Sequence, residues 1–234
     1  MAPEPFASRV AFFGGSFDPP HLGHLAIARA ARTALDLDTV LFAPVGAQPL
    51  KPRGAAAAFE DRVAMTRLAI AGEPGFALST ADAPRAAGSA PNYTIDTLRA
   101  LRKELPAGSV LFCLVGADSF LGLRQWHRAA ELLFAAPFIV ASRPGQPLDD
   151  IQSALPEGLA LHPLERKHIA SIELRTCTVS SHDGRHAPFY LLPGLDVEIS
   201  ASAIRAQMAA RPETEVSLVP APVAAYIQAH NLYR

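Results

Sequence analysis

Short apolar runs alternate with longer helix-like segments along most of this chain, and this alternation constrains the fold more than any other feature. Five apolar runs predict strands at residues 9–13, 39–43, 76–80, 110–115 and 138–141. Apolar residues at three- and four-residue spacing predict helices at 22–35, 59–71, 94–105 and 128–134. Because parallel strands need a crossover connection, usually a helix, this order is typical of parallel sheets. We therefore predict an α/β fold with a doubly wound, mainly parallel sheet flanked by helices.

The pattern weakens in the last third of the chain. Prolines and a polar, histidine-bearing stretch between residues 143 and 188 predict a variable insertion at about 146–187, whose role the sequence does not reveal. A short strand at 189–192 and helices at 200–210 and 222–230 follow, so the fold is expected to end in a small C-terminal helical part. The 234 residues are expected to form a single domain, 1–234.

Charge and hydropathy exclude several classes of partner. The chain has 21 Lys and Arg against 22 Asp and Glu, so a general nucleic-acid or anionic-membrane binder is not expected. The apolar runs stay far below the roughly 18 residues of a transmembrane helix, and the N-terminus lacks the pattern of a signal peptide. We expect a cytoplasmic protein with small-molecule partners, in which Cys113 and Cys177 are reduced thiols.

One junction between a predicted strand and a predicted helix concentrates residues that carry chemistry. Residues 14–24 are Gly-Gly-Ser-Phe-Asp-Pro-Pro-His-Leu-Gly-His. Glycines after a strand let backbone N–H groups approach an anion at the helix N-terminus, where the helix dipole favours negative charge. His21 and His24 are three residues apart, so both imidazoles lie on one face of the first turn, and Gly23 leaves room for a nucleotide.

A phosphate site is the interpretation that this junction favours. An in-line displacement at phosphorus spreads charge over equatorial oxygens, and positioned donors stabilise that charge without a covalent nucleophile. A Gly-Gly turn alone marks an ordinary tight connection, and a lone helical histidine is usually structural. The combination of both features with Asp18, Pro19 and Gly23 favours catalysis.

The segment at residues 13–24 resembles the signature of the nucleotidyltransferase superfamily and, in this form, the bacterial nicotinate-nucleotide adenylyltransferase family. Further segments match that family in order, except near 146–188. The resemblance implies a Rossmann-like sheet and transfer of the adenylyl group of ATP to nicotinate mononucleotide, giving deamido-NAD and pyrophosphate; ATP normally brings Mg²⁺ with it. The residues that it implies for ATP binding are Gly14, Gly15, Ser16, Phe17 and Gly23, with His21 and His24 as catalytic residues.

Two further segments resemble the part of the family that binds the pyridine nucleotide. Tyr93, Thr94 and Ile95 open a predicted helix, and Thr94 is expected to cap it while the first N–H groups receive the nicotinate carboxylate. A plain helix cap is the alternative. Trp126 is expected to stack on the pyridine ring, with a half-buried packing role as the alternative, and His127 to contribute its backbone N–H.

The remaining matches predict contacts to ATP. Gly116 and Asp118 follow a strand and are expected to bind ATP, with Asp118 accepting from nucleotide hydroxyls. Ser200 and Ser202 at a helix start, with Arg205 one turn later, form an expected anion site for the β- and γ-phosphates. In that site Arg205 would stabilise the departing pyrophosphate. Taken alone, this Ser-x-Ser-x-x-Arg spacing is common in capped helices.

Two candidate cations lie in predicted loops. Where the family often has Pro-Pro-His-Lys, residues 48–51 are Gln-Pro-Leu-Lys, so Leu50 supplies no imidazole. Lys51 is a candidate catalytic cation over the ATP phosphates, or else a solvent-facing lysine. Arg143 is a candidate for the adenine side, or else part of a surface turn.

The sequence leaves several alternatives open. No protein-bound metal is predicted, because the spacing of Cys177, His182 and His186 matches no strong zinc pattern. The acceptor could instead be nicotinamide mononucleotide or another phosphate such as phosphopantetheine, although the segments at 92–97 and 126 disfavour the latter. A nucleotide-sensing module without catalysis is the alternative from another class. The sequence does not decide between a monomer and a homo-oligomer.

Overall fold

One mixed sheet forms the centre of the fold. The computed structural model of the chain describes residues 7–47, 50, 54–85, 91–142, 149–195, 199–210 and 218–234. The strands in this part are β1 (Arg9–Gly15), β2 (Thr39–Pro44), β3 (Phe76–Leu78), β4 (Val110–Gly116), β5 (Phe138–Ala141), β6 (Leu159–Ile169), β7 (Ile172–Ser181) and β8 (His186–Leu192). These eight pair in the order β3-β2-β1-β4-β5-β8-β7-β6. The first five and β8 run parallel, whereas β7 is antiparallel to both of its neighbours.

Helices connect the parallel strands, as the sequence predicts. They are α1 (Leu22–Leu35), α2 (Phe59–Ile70), α3 (Thr94–Glu104), α4 (Ala117–Phe120), α5 (Ala129–Ala135), α6 (Asp149–Ser153), α7 (Ala201–Ala210) and α8 (Ala221–Ala229). Every strand and helix that the sequence predicts is present, with ends within three residues of the predicted ones. Within the described ranges, no helix combines the length and the apolar character needed to span a bilayer.

The central strands are buried on both faces, which is why they are almost continuously apolar. Along β1, Val10 and Phe12 belong to the core on the side of α3 and α5, while Ala11 and Phe13 belong to the core on the side of α1. The alternation follows from the two-residue period of a strand. Helices therefore cover both faces, and the doubly wound α/β prediction is confirmed.

A third core cluster lies beside the sheet and forms the helical part at the end of the chain. It joins α2, α7 and α8 through buried side chains that include Met65, Ile204, Val223 and Ile227. The N–H of Leu22, at the start of α1, donates to the carbonyl of Leu218 at 3.0 Å. The C-terminal segment consequently packs against the helix that begins at the predicted phosphate site.

The region of the predicted insertion extends the sheet. Its described residues form α6 and the antiparallel pair β6–β7, which joins the edge of the sheet through β8. The sequence pattern did not predict β6, because this strand is exposed and polar and contains Pro163, where the register with β7 shifts. It did not predict β7 either, because the buried residues of that strand do not keep a single two-residue alternation. On β7 the inward-facing Cys177 and Val179 are buried; Cys113 and Cys177 are both free thiols.

Hydrogen bonds hold together the loops that follow β2 and β3. The N–H of Gly46 donates to the carbonyl of Asp82 at 2.7 Å. Asn92 reaches both loops, since its amide nitrogen donates to the Ala83 carbonyl at 3.0 Å and its oxygen accepts from the Ala47 N–H at 3.4 Å. The two loops and the start of α3 are thus one connected unit at the carboxyl edge of the sheet.

This close approach predicts that Gly46→Ala destabilises the protein by about 1–3 kcal/mol. A Cβ at this position would lie 2.3 Å from the Pro84 nitrogen and 2.6 Å from its Cα, which are backbone atoms that cannot rotate away. Urea unfolding followed by circular dichroism measures the loss. Gly122→Ala is the matched control, because the nearest atom to its Cβ lies at 3.5 Å. Equal stability of the two variants would contradict the prediction.

Candidate active site

Two glycines at the end of β1 allow close packing with the turn that follows the strand. A Cβ on Gly14 would lie 2.8 Å from the ring of Phe12, and one on Gly15 would lie 3.3 Å from the ring of Phe17. Phe17 itself has a left-handed backbone with φ of 46°. Its ring is buried against Phe13, at a centroid distance of 5.6 Å. The turn therefore holds a fixed shape at the carboxyl end of β1, and the side chain of Phe17 belongs to the core.

His21 and His24 stack on each other at the N-terminus of α1. Their ring centroids are 3.7 Å apart and their planes differ by 28°. The backbone N–H of His21 donates to Nδ1 of His24 at 3.2 Å. Because that nitrogen accepts, a neutral His24 carries its proton on Nε2. The predicted pair is thus brought together, and His24 offers an N–H donor from the far side of its ring.

The surroundings of His24 keep it uncharged. Burial, and after it the neighbouring His21 ring, hold the pKa of His24 well below its ordinary value. The edge-on ring of Phe17, 4.9 Å away, is part of this apolar environment. A neutral ring can donate a hydrogen bond to a phosphate oxygen without first losing or gaining a proton.

Arg205 of α7 reaches the same turn from the other end of the chain. Its Nη1 donates to the carbonyl of Asp18 at 2.7 Å, and its Nη2 donates to Oγ of Ser202 at 3.3 Å. Ser200 immediately precedes α7, and its carbonyl accepts the N–H of Ile204 at 3.0 Å. The first and the last predicted phosphate-binding segments therefore meet, although 187 residues separate Asp18 and Arg205 in sequence.

Asp18 and Arg62 stabilise this turn through buried hydrogen bonds. Asp18 is a buried residue, 4% exposed. Its carboxylate accepts from the N–H groups of Ala56 and Ala57, at 2.6 and 3.1 Å, and from the Tyr233 hydroxyl at 2.7 Å. Nη1 of Arg62, a residue 2% exposed, donates to the Ser16 carbonyl at 2.7 Å, and burial lowers the pKa of this guanidinium. Sequence reasoning did not identify Arg62 or Tyr233. Arg62 could have been identified as a charged residue on the face of α2 that is otherwise buried.

A second cluster forms where α3 begins. The sequence-based expectation that Thr94 caps α3 is wrong: Tyr93 is the N-cap residue and Thr94 is the first residue of the helix, with no side-chain cap hydrogen bond. The first intrahelical bonds run from the N–H groups of Asp96 and Thr97 to the Tyr93 carbonyl. The N–H groups of Thr94 and Ile95 precede these bonds, which is the arrangement of an anion site at a helix start.

His127 and Trp126 lie beside this helix start, after the 3₁₀ turn Leu123–Gln125. The ring of His127 stacks on that of Tyr93, with a centroid distance of 4.0 Å and an interplanar angle of 21°. Trp126 is partly buried against the core on the side of α3 and also lines a cavity of about 460 Å³ with Arg124, Pro156 and others. The predicted pyridine-binding residues are therefore neighbours, and Trp126 has packing contacts as well.

A buried carboxyl group that the sequence did not single out connects the two clusters. Asp82 accepts a hydrogen bond from the Thr97 hydroxyl of α3, and its Oδ2 lies 3.8 Å from the position of a Cβ on Gly14. Burial raises the pKa of Asp82, an effect that the Thr97 hydrogen bond and Arg85 offset in part. The isolated acidic residue in a loop gave no pattern by which to find it.

The remaining predicted residues are distributed as follows. Gly116 ends β4, the parallel neighbour of β1, and a Cβ there would meet no atom within 4 Å, so space is open beside the turn. Asp118 is exposed in the first turn of α4, and Leu50 is exposed in its loop. Lys51 and Arg143 lie outside the described residues. In the described part of the chain, no group of three or more His, Cys, Asp or Glu side chains is placed to hold a metal ion.

Comparison with known proteins relates nearly the whole chain to one family. Residues 12–207 match the cytidylyltransferase-like family. A Stenotrophomonas maltophilia protein named probable nicotinate-nucleotide adenylyltransferase is 42% identical over 226 residues, which cover 95% of this chain and 96% of the relative. A Geobacter metallireducens protein of the same name is 37% identical over 225 residues, covering 96% and 98%.

A solved structure has the same fold. The Plasmodium falciparum nicotinic acid mononucleotide adenylyltransferase complexed with NaAD superimposes with a TM-score of 0.66 over 97% of each chain, at 16% sequence identity. At that identity the likeness concerns the fold, which agrees with the Rossmann-like sheet expected from the sequence.

The neutral state of His24 predicts a pH-dependent contribution to stability. Its pKa is about 6.5 in the unfolded chain and lower in the folded protein, so below that pH the unfolded state binds more protons. The free energy of unfolding should then fall with acidification, by up to about 1.4 kcal/mol per pH unit from this group. His24→Asn, which keeps an acceptor for the His21 N–H, should lack that component.

Urea unfolding of parent and variant at about pH 7.5 and about pH 5.5 tests this expectation. The stability difference between parent and His24→Asn should shift in favour of the variant at the lower pH. His168→Asn, at an exposed position of β6, is the control and should follow the parent. Parallel pH profiles for parent and His24→Asn would show that His24 titrates alike in both states.

Proposed function

The chain belongs to the nicotinate-nucleotide adenylyltransferase family, and we propose that it transfers the adenylyl group of ATP to nicotinate mononucleotide, giving deamido-NAD and pyrophosphate in NAD biosynthesis. The observation that carries the proposal is the stacked His21–His24 pair at the start of α1, beside the turn that Arg205 also reaches. The pair supplies donors where a phosphate would lie, and His24 is a neutral one.

The reaction needs no enzyme nucleophile. A phosphate oxygen of the mononucleotide attacks the α-phosphorus of ATP, a new P–O bond forms, and the bond to the bridging oxygen breaks to release pyrophosphate. His21 and His24 hold oxygens of the transition state, and Arg205 neutralises the triphosphate tail and the departing pyrophosphate. Lys51 would add to that charge. ATP arrives as its Mg²⁺ complex, whose metal is held by substrate phosphates and water.

The nucleotide-binding roles follow from position along the carboxyl edge of the sheet. Gly14, Gly15 and Ser16 line the phosphate side through their backbone, and Gly23 allows the nucleotide to lie against α1. Gly116, at the end of the neighbouring strand β4, and Asp118, in the first turn of α4, face the nucleoside. Further contacts to ATP are proposed for Phe17 through its backbone and for Arg143, Ser200 and Ser202.

Selection of the acid over the amide follows from the start of α3. Its first N–H groups, at Thr94 and Ile95, are donors that suit a carboxylate, whereas a carboxamide would present its own N–H group to one of them. Tyr93 and His127 form a stacked wall beside these donors, and Trp126 adds an aromatic face. Such a site acts in the cytoplasm, where both nucleotide substrates are available.

Loss of the distal N–H of His24 should abolish most of the transfer. His24→Asn retains an acceptor for the His21 N–H but has no donor at the position of Nε2, so kcat should fall by about a hundred- to a thousandfold. Pyrophosphate release that depends on both ATP and nicotinate mononucleotide is the measurement. His168→Asn on exposed β6 should keep the parent rate. A parent protein that binds both nucleotides without releasing pyrophosphate would instead be a nucleotide sensor.

The parent should prefer nicotinate mononucleotide to nicotinamide mononucleotide by at least about a hundredfold in kcat/KM. The carboxamide of nicotinamide mononucleotide would leave one N–H group at the start of α3 without an acceptor, and an unpaired buried donor costs binding free energy. Steady-state rates with each mononucleotide at saturating ATP check this ratio. A preference for the amide would make the chain a nicotinamide-mononucleotide adenylyltransferase, and the assigned role of Thr94 and Ile95 would then be wrong.

A further inference from the structure

We propose that Tyr233 is a positioning residue that keeps the guanidinium of Arg205 available to the triphosphate of ATP. The residue touches neither nucleotide in this scheme; it acts through the carboxylate of Asp18. This inference deepens the proposed function and rests on the role that it gives to Arg205.

The buried carboxylate of Asp18 accepts three hydrogen bonds among the described residues. Its Oδ2 accepts from the Ala56 N–H, and its Oδ1 accepts from both the Ala57 N–H and the Tyr233 hydroxyl. Three donors thus stabilise a carboxylate that is almost wholly removed from solvent. Burial, followed by the hydrogen bond to Asp18, raises the pKa of Tyr233, so its hydroxyl remains a donor.

The guanidinium of Arg205 lies close to the Asp18 carboxylate without a direct hydrogen bond to it. Its Nη1 lies 3.9 Å from Oδ2 of Asp18 and donates instead to the backbone carbonyl of the same residue, at 2.7 Å. The side chain of Arg205 is 31% exposed. A guanidinium this close to a buried carboxylate would form a direct hydrogen-bonded pair if the carboxylate lacked donors. The Tyr233 hydroxyl donates to Oδ1, whereas Arg205 lies beside Oδ2. Because the charge of a carboxylate is shared by both oxygens, this hydrogen bond weakens the attraction of Oδ2 for Arg205.

The packing of the C-terminal segment, residues 218–234, places the Tyr233 hydroxyl within hydrogen-bond distance of Asp18. Tyr233 and Leu232 pack against the cluster that contains Ile204 of α7, the residue next to Arg205. The backbone of Tyr233 is left-handed, with φ of 63°, and turns the ring towards Asp18. Loss of the hydroxyl alone would leave this apolar packing in place, and the Asp18 carboxylate would keep the N–H groups of Ala56 and Ala57 as donors.

The chain supplies a matched control for removing the hydroxyl. Tyr226, on α8 of the same segment, donates to Oδ1 of Asp61 at 2.9 Å. Tyr226→Phe therefore deletes the same kind of tyrosine–carboxylate hydrogen bond, but away from Asp18. Both variants should remain folded without urea, as circular dichroism checks, and only Tyr233→Phe should change the binding of ATP.

Equilibrium binding of ATP·Mg²⁺ by calorimetry, in the full chain, is the decisive experiment. Tyr233→Phe should weaken ATP binding by about five- to tenfold and raise KM for ATP, with KM for nicotinate mononucleotide within twofold of the parent. The same substitution made in Arg205→Ala should have no further effect, because its target is then absent. A purely structural role would weaken binding equally in both backgrounds.

Two outcomes would overturn the inference. Unchanged ATP affinity in Tyr233→Phe would leave the proposed transfer reaction intact and show that Arg205 needs no help from Tyr233. A loss of the same size with and without Arg205 would show that Tyr233 acts elsewhere. Failure of the proposed function is distinguishable, because it would appear as a parent protein that binds ATP·Mg²⁺ but releases no pyrophosphate in the presence of nicotinate mononucleotide.

Discussion

The buried carboxylate of Asp18 is the interaction on which the site depends. It receives hydrogen bonds from the loop before α2 and from the C-terminal segment, while the carbonyl of the same residue binds Arg205 of α7. Three parts of the chain that are distant in sequence are therefore attached to the turn after β1. Without these donors the carboxylate would be buried and unpaired, which costs several kcal/mol, so the attachment and the stability of the turn are coupled.

The parallel sheet explains why the rest of the site is assembled nearby. The carboxyl ends of β1, β2 and β4 lie side by side at one edge, so the turn after β1, the loop after β2 and Gly116 become neighbours. Asp82 and Asn92 then connect the loop after β3 to the start of α3. Ligands bind at this edge in open α/β sheets because the strand order changes direction there, and β1 stands between β2 and β4 at that change.

Sequence patterns predicted the strands and helices that combine strong periodicity with burial, and they predicted the His21–His24 pair. They failed for β6, because an exposed, polar strand that contains a proline lacks the apolar signal of a buried one. They failed for β7, because its buried residues, Leu174, Cys177 and Val179, do not keep a single two-residue alternation. They also placed the cap of α3 on Thr94, one residue too late, since a tyrosine is not a usual cap. Arg62, Asp82 and Tyr233 were missed because their partners are far away in the chain.

The sequence by itself determined the local chemistry: a strand that ends in two glycines, two imidazoles one helical turn apart, and donors at a helix start. Spacing along the chain sets these, since they depend on neighbours within a few residues. The tertiary structure alone decided the protonation of His24, the meeting of Arg205 with Asp18 and the link from Asp82 to α3. Burial and long-range hydrogen bonds set those properties, and neither can be predicted from residues that are neighbours in sequence.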